Sequence, residues 1–247
     1  MRKVAFYVAK GGAGKTTLAG CTAYHASRKG VRTVLVDNDA QGNASSWYLK
    51  GSVEHELADC LKGEVEVQKA LVPLSPTFSV LPTASIGGEL KKYAETKLAF
   101  EPFVYDDLNG ALAGLGYELV VYDLAPSFSM LERCAILSCD EVVMPLTGEY
   151  FSIDGHETFR ANIAEINKAY KRNVEHTKAV LNNVNLSYSK HREAVEVYHG
   201  LKLRLFVVPQ DRNIAECQFS QLPLWEYNPR SRAIPALEEL TAAIVGG

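Results

Sequence analysis

The sequence lacks the features that would take it out of the ordinary globular classes. No stretch approaches the roughly 18–20 consecutive apolar residues of a membrane span. The opening Met1-Arg2-Lys3-Val4-Ala5-Phe6-Tyr7-Val8 reaches glycines too soon for a signal peptide, so a cytoplasmic location is expected. Cysteine is sparse: Cys21, Cys60, Cys134, Cys139 and Cys217 are odd in number and include no C-x-x-C, a pattern of reduced thiols that excludes a disulfide framework. Internal repeats, low-complexity tracts and Pro/Ser-rich linkers are absent, and residues 1–247 are expected to form a single domain. Neither sign of charge dominates, with 26 Lys+Arg against 29 Asp+Glu and a net −3. That balance excludes a wholly basic nucleic-acid binder but leaves room for a local basic face. With 47% hydrophobic and 22% charged residues, collagen-like and disordered classes are excluded as well.

What is present is an alternation. Val4–Ala9, Thr33–Val36, Phe78–Leu81, Leu119–Tyr122, Glu141–Pro145, Ala179–Leu181 and Leu203–Val208 read as strands. Most have no polar alternate face, which implies a parallel sheet covered on both sides. Lys15–Arg28, Ser127–Leu137, Ile153–Tyr170, Ser187–Tyr198 and Ile234–Val245 carry the 3.6-residue period of helices, the first and last running up to Gly30 and Gly246. The predicted fold class is α/β: a doubly wound, mostly parallel sheet with helices on both faces.

Between the first strand and the first helix stands Lys10-Gly11-Gly12-Ala13-Gly14-Lys15-Thr16-Thr17. It ends as a phosphate-binding loop ends, although the pattern Gly-x-x-x-x-Gly-Lys-Ser/Thr would start at position 9, where Ala9 stands. Glycines let backbone N–H groups converge on phosphate oxygens at a helix N-terminus. Lys15 can neutralise the β- and γ-phosphates, the Thr16 hydroxyl can complete a Mg2+ shell, and Thr17 is placed for the α-phosphate. A helix N-cap after a Gly-rich turn is the bland alternative. Lys10 is the unusual residue; on spacing alone it is either a surface charge or a cation that reaches a nucleotide in a facing subunit.

Two further strands end in carboxylates, Asp37 and Asp39 after Thr33–Val36 and Asp123 after Leu119–Tyr122. Ligands of open α/β sheets sit at the carboxyl ends of strands, so these residues are expected to converge on the loop and hold Mg2+ directly or through water. Turn or helix-cap roles are the competing reading.

These segments resemble the ParA/MinD, or deviant Walker A, group of P-loop ATPases, whose loop is Lys-Gly-Gly-x-Gly-Lys-Ser/Thr, and most closely the short Soj-like ParA type. Asp37-Asn38-Asp39-Ala40-Gln41-Gly42-Asn43 is similar to the family's Asp-x-Asp-Pro-Gln-Gly-Asn, with Ala40 in place of proline. Asp123-Leu124-Ala125-Pro126-Ser127 is similar to Asp-Thr-Pro-Pro-Ser. Pro145-Leu146-Thr147-Gly148-Glu149-Tyr150-Phe151 and Leu222-Pro223-Leu224-Trp225-Glu226-Tyr227-Asn228-Pro229-Arg230-Ser231 extend the likeness over nearly the whole chain. The resemblance implies an ATP- and Mg2+-dependent ATPase that closes into a homodimer, with Lys10 reaching across it. It implies Asp39 as the residue that orients the attacking water, Asp37 in a water-mediated contact to Mg2+, and Pro209, Gln210 and Asp211 closing over adenine. Asn182 is either an adenine partner or a strand-end turn.

The resemblance further implies non-specific DNA binding by the ATP-bound dimer and release through a ParB-like or other adaptor. Residues 160–212 carry a local net of +5 while the remainder carries −8. Candidate phosphate contacts in that segment are Lys168, Lys171, Arg172, Lys190, Arg192, Lys202, Arg204 and Arg212, unless these are ordinary solvated helix charges. With the loop ten residues from the start, no helix-turn-helix is expected ahead of it. The ending Leu240-Thr241-Ala242-Ala243-Ile244-Val245-Gly246-Gly247 lacks a basic amphipathic tail, so no membrane partner is expected. Two other classes share the nucleotide motifs: a redox ATPase like the nitrogenase iron protein, with Cys134 and Cys139 on an apolar helix as its candidate ligands, and a P-loop small-molecule kinase.

Overall fold

The computed structural model describes residues 1–84, 88–148 and 153–246, without the side chains of 153–155. The chain runs β1 (Arg2–Phe6), α1 (Lys15–Arg28), β2 (Thr33–Asn38), α2 (Asn43–Tyr48), α3 (Leu57–Leu61), α4 (Val67–Ala70), β3 (Val72–Ser75) and β4 (Phe78–Leu81). It continues through α5 (Glu89–Thr96), α6 (Val104–Gly114), β5 (Leu119–Leu124), α7 (Met130–Leu137), β6 (Glu141–Thr147) and α8 (Ile153–Tyr170). It closes with β7 (Lys178–Val184), α9 (Ser189–His199), β8 (Arg204–Pro209), α10 (Arg212–Phe219), α11 (Leu224–Tyr227) and α12 (Ile234–Val245).

The strands form one eight-stranded sheet in the order β3-β4-β2-β5-β1-β6-β7-β8. Every pairing is parallel except β3 with β4. Alternation along the strands divides the core. Ala5, Val34, Val36, Val120 and Tyr122 join the cluster under α6, α7 and α8. Val4, Phe6, Leu35, Val121 and Val143 face the opposite cluster with α1 and α12. Both faces of β2 and β5 are therefore buried, which is why their sequences are apolar without interruption until the terminal carboxylates.

The predicted bounds of α1, α8, α12 and β4 coincide with those observed. β1 leaves the sheet at Phe6 rather than Ala9, because the chain turns there into the loop, and Tyr7 keeps one bond from its N–H to the Val143 carbonyl (3.1 Å). α7 starts at Met130, three residues later than expected. Ser129 and Glu132 form a capping box there, satisfying N–H groups that the helix start leaves without an intrahelical partner. Cys139 is not on that helix; it follows α7 in the turn to β6. α1 ends as anticipated, with Gly30 in the left-handed region (φ 87°), whereas Gly246 is not left-handed. β3 and the helices α2 to α6, α10 and α11 were not foreseen. Glu149, Tyr150 and Phe151 lie outside the described residues.

Candidate nucleotide site

The sheet order reverses around β1, so the loop leaving its carboxyl end opens into the crevice where such sheets bind ligands. Gly12 (φ 73°) and Gly14 (φ 90°) hold left-handed conformations that let the loop curl ahead of α1. Gly14 is also a contact glycine. A β-carbon there would lie 2.0 Å from Asn182 Nδ2, whose amide donates to the Ala13 carbonyl at 3.3 Å. Asn182 thus closes the back of the loop from the end of β7, leaving its Oδ1 buried and without a protein donor.

Lys15 is buried, and its ammonium donates to the backbone oxygens of Lys10 (2.9 Å) and Val8 (3.4 Å). Burial pulls its pKa down, opposed by the nearby carboxylates of Asp123, Asp39 and Glu132. Lys10 itself is exposed at the loop's mouth. Thr16 and Thr17 open the first turn of α1 as expected.

The predicted carboxylates do come together. Asp37 and Asp123 sit side by side in register at the ends of β2 and β5, and both are fully buried. Asp37 accepts the Ser45 N–H (2.7 Å) and hydroxyl (2.6 Å), and Thr83 donates its own hydroxyl to the Asp37 carbonyl (2.6 Å). Burial nevertheless pushes Asp37 up to about 6, because those bonds recover only part of the lost hydration and Asp39 adds repulsion. Asp123 is raised well above the ordinary carboxylate range by burial and then by Asp37. Its oxygens have no hydrogen bonds of normal geometry; a weak interaction with the Thr16 hydroxyl and the charge of Lys15 favour its ionised form. Asp39 accepts the Gln41 N–H at 3.0 Å.

This set fits a hard divalent cation, since two desolvated carboxylates beside a hydroxyl are offset only by the single Lys15 ammonium near Asp123. Among the described residues no three His, Cys, Asp or Glu side chains form a metal cage. The remaining ligands would have to be nucleotide oxygens and water, the arrangement Mg2+ favours.

At the base end the polar side chains of the predicted residues bond within the protein. Asp211, expected to close over adenine, has its carboxylate engaged within the protein. It caps α10 through the Asn213 N–H (3.0 Å) and accepts the Ser231 hydroxyl (2.7 Å). Burial raises its pKa, but those bonds outweigh that effect and hold it low. Gln210 also looks inward: its N–H meets the Val184 carbonyl and its side-chain oxygen accepts from Asn185. Pro209 ends β8, leaving backbone and ring as its surfaces.

The basic residues do not share one face. Lys171, Arg172 and Arg204 lie at the amino ends of the strands, and Arg172 and Arg204 are paired with Asp106 and Glu239. Arg172 lines a cavity of about 700 Å³ there with Met1, Arg2 and Lys3. Lys190, Arg192 and Arg212 follow the carboxyl ends, on the nucleotide side. A linear charge count cannot separate these groups, because one β-α-β passage crosses the sheet from end to end. Arg230 and Arg232, overlooked in the sequence, join Arg212 around a cavity of about 620 Å³ with Asn183 and Gln210.

Ser45, Thr83, Glu132 and Gln218 were likewise missed; of these only Ser45 stands close in sequence to a motif. Cys134 and Cys139 are buried free thiols; burial pushes Cys134 up to about 11 and Cys139 further, the reverse of a thiolate ligand's environment. No helix among the described residues is long and apolar enough to cross a membrane.

Residues 1–176 match the family model described as AAA domain. Protein BBD21 of Borreliella burgdorferi, itself uncharacterised, is 33% identical over 246 residues, spanning 99% of both chains. The chromosome-partitioning ATPase Soj of Thermus thermophilus is 29% identical, with 99% of this chain and 96% of Soj aligned. The septum site-determining protein MinD of Pyrococcus horikoshii, solved with Mg-ADP, shares the fold at a TM-score of 0.78 and 22% identity, over 98% of this chain and 95% of MinD.

Proposed function

The chain belongs to the ParA/MinD family of P-loop ATPases, and on that premise we propose that it is an ATP-driven partition or cargo-positioning switch. The observation that carries this reading is the convergence of the Lys10–Thr17 loop with Asp37, Asp39 and Asp123 in one crevice. Thr16, Asp37 and Asp123 would hold Mg2+, which when bound offsets phosphate charge. Lys15 would exchange its two backbone partners for β- and γ-phosphate oxygens. Asp39, pinned through one oxygen by Gln41, would use the other to orient the attacking water, so that ATP is hydrolysed to ADP and phosphate.

Lys10 is free to serve a nucleotide held by a second copy, since its own loop folds back onto Lys15. ATP would thereby join two subunits into a homodimer. The dimer would bind DNA without sequence preference through the cations on the nucleotide side: Lys190, Arg192 and Arg212, with Arg230 and Arg232 added. An adaptor protein would stimulate hydrolysis and release the dimer, so that the protein would sit on the nucleoid while ATP is bound and return to the cytoplasm after hydrolysis.

The test is DNA binding at a fixed salt concentration with ADP, with ATP, and with ATP on the Asp39→Ala variant. Binding with ATP alone, prolonged in the variant, is expected; binding that ignores the nucleotide sinks the reading. Lys10→Ala should retain ATP yet sediment as a monomer.

A further inference from the structure

Thr17, in the first turn of α1, lines a cavity beside the loop, and the structure shows what holds its hydroxyl. Gln218, on α10 and 201 residues away, donates its side-chain N–H to Thr17 Oγ1 at 2.9 Å. We propose that Gln218 is a positioning residue for the α-phosphate, orienting the Thr17 hydroxyl so that its proton points at the nucleotide; this rests on the nucleotide reading above.

A threonine hydroxyl has one proton to give and two lone pairs to accept with. Gln218 occupies the accepting side. Among the described residues the proton has no protein acceptor, so it is left for an anionic oxygen. The two side chains line one cavity of about 340 Å³ with Thr16, Asn43, Ser46 and Trp47, directly beside the loop's first helical turn.

Gln218 is itself held in place. α10 starts at the Asp211 cap, next to the base-side residues Pro209 and Gln210. Beyond α10, Gln221 donates to the carbonyls of Ser46 (2.7 Å) and Leu49 (3.2 Å), and the Leu222 carbonyl accepts from Trp47 Nε1 (2.9 Å). The helix is thereby stitched to α2, leaving Gln218 little freedom to swing away. One side chain thus ties the element at the base end to the element at the phosphate end. Because ADP and ATP carry the same α-phosphate, the effect should be shared by both nucleotides and fall on binding rather than on the hydrolytic step.

The experiment measures Kd for Mg-ADP and Mg-ATP by calorimetric titration of wild type, Gln218→Met, Gln218→Glu, Thr17→Val and Thr17→Val/Gln218→Met, with steady-state kinetics alongside. Methionine keeps the length and helix preference of glutamine but cannot donate. Gln218→Met should weaken both nucleotides alike, by about three- to tenfold, with the loss appearing in KM rather than kcat. The double variant should bind no more weakly than Thr17→Val. Gln218→Glu should bind more weakly than Gln218→Met, because its carboxylate accepts the proton meant for the phosphate. Independent, multiplying losses in the double variant, unchanged affinity in Gln218→Met, or wild-type affinity in Gln218→Glu would each overturn the proposal while leaving the nucleotide site standing. A wild-type protein that binds neither nucleotide would instead overturn the functional reading beneath it.

Discussion

Ser45 shows how much of the site depends on a residue without charge. Its hydroxyl and its N–H both end on one oxygen of Asp37, and Thr83 N–H in turn donates to that hydroxyl at 3.0 Å. Ser45→Ala removes the shorter bond while retaining the backbone one, so Asp37 should ionise less readily. Outer-shell partners of this type are worth about tenfold in metal affinity. The Mg2+ concentration for half-maximal ATPase should therefore rise about tenfold, as a Mg2+ titration at saturating ATP would show. Lys15 and Thr16 were legible in the sequence because they stand where a glycine loop enters a helix, and Asp37 and Asp123 because each closes an apolar strand. Thr83 and Gln218 were not, because their partners are distant and no spacing marks them.

At the scale of elements, α1 could be read to the residue because Gly14 and Gly30 bracket a long apolar period. The helices between 43 and 114 were missed for the opposite reason: several are only one or two turns long, too short for a period to show. One of them, α2, sets the limit on α1. A β-carbon on Gly20 would lie 2.6 Å from Trp47 Cζ3 and 3.0 Å from Tyr48 Cε2. Alanine would gain about 1 kcal/mol in helix propensity. Overpacking against two buried aromatic rings costs about 1–3 kcal/mol, so the clash should prevail. Gly20→Ala should lower the denaturant midpoint, measured by Trp fluorescence. A second element-scale effect concerns the junction of α8 and β7, where His176 meets Phe159 edge-on and faces His156. Burial lowers His176 from 6.5 to about 4, against its bond to the Val142 carbonyl and with a further push from His156. Between those pH values the unfolded chain binds the proton and the folded chain does not. The neutral ring's contribution is thus complete above pH 6.5 and is lost as pH falls toward 4. On acidification wild type should lose up to about 3 kcal/mol more than His176→Gln, read from denaturation curves at each pH.

For the whole molecule, the net charge of −3 conceals a division that follows the sheet rather than the sequence. Lys171, Arg172 and Arg204 sit a strand's length away from the nucleotide side, whereas Arg212, Arg230 and Arg232 surround one cavity on it. A triple Arg→Ala change at 212, 230 and 232, which removes three cations from each subunit of the dimer, should weaken ATP-dependent DNA binding and flatten its log-log salt slope by about 5. The triple change at 171, 172 and 204 should leave that slope as it is. Fluorescence anisotropy across a salt series distinguishes the two.

The same sheet governs how copies can meet. β3, at its outer edge, is four residues long and runs antiparallel to β4; it includes Pro73, which has no N–H, and its register shifts between Pro73 and Ser75. Such an edge is a poor template for another strand. Raising the concentration of copies should then not seed strand-to-strand aggregation along β3, because the edge offers no continuous row of N–H and carbonyl groups to extend the sheet.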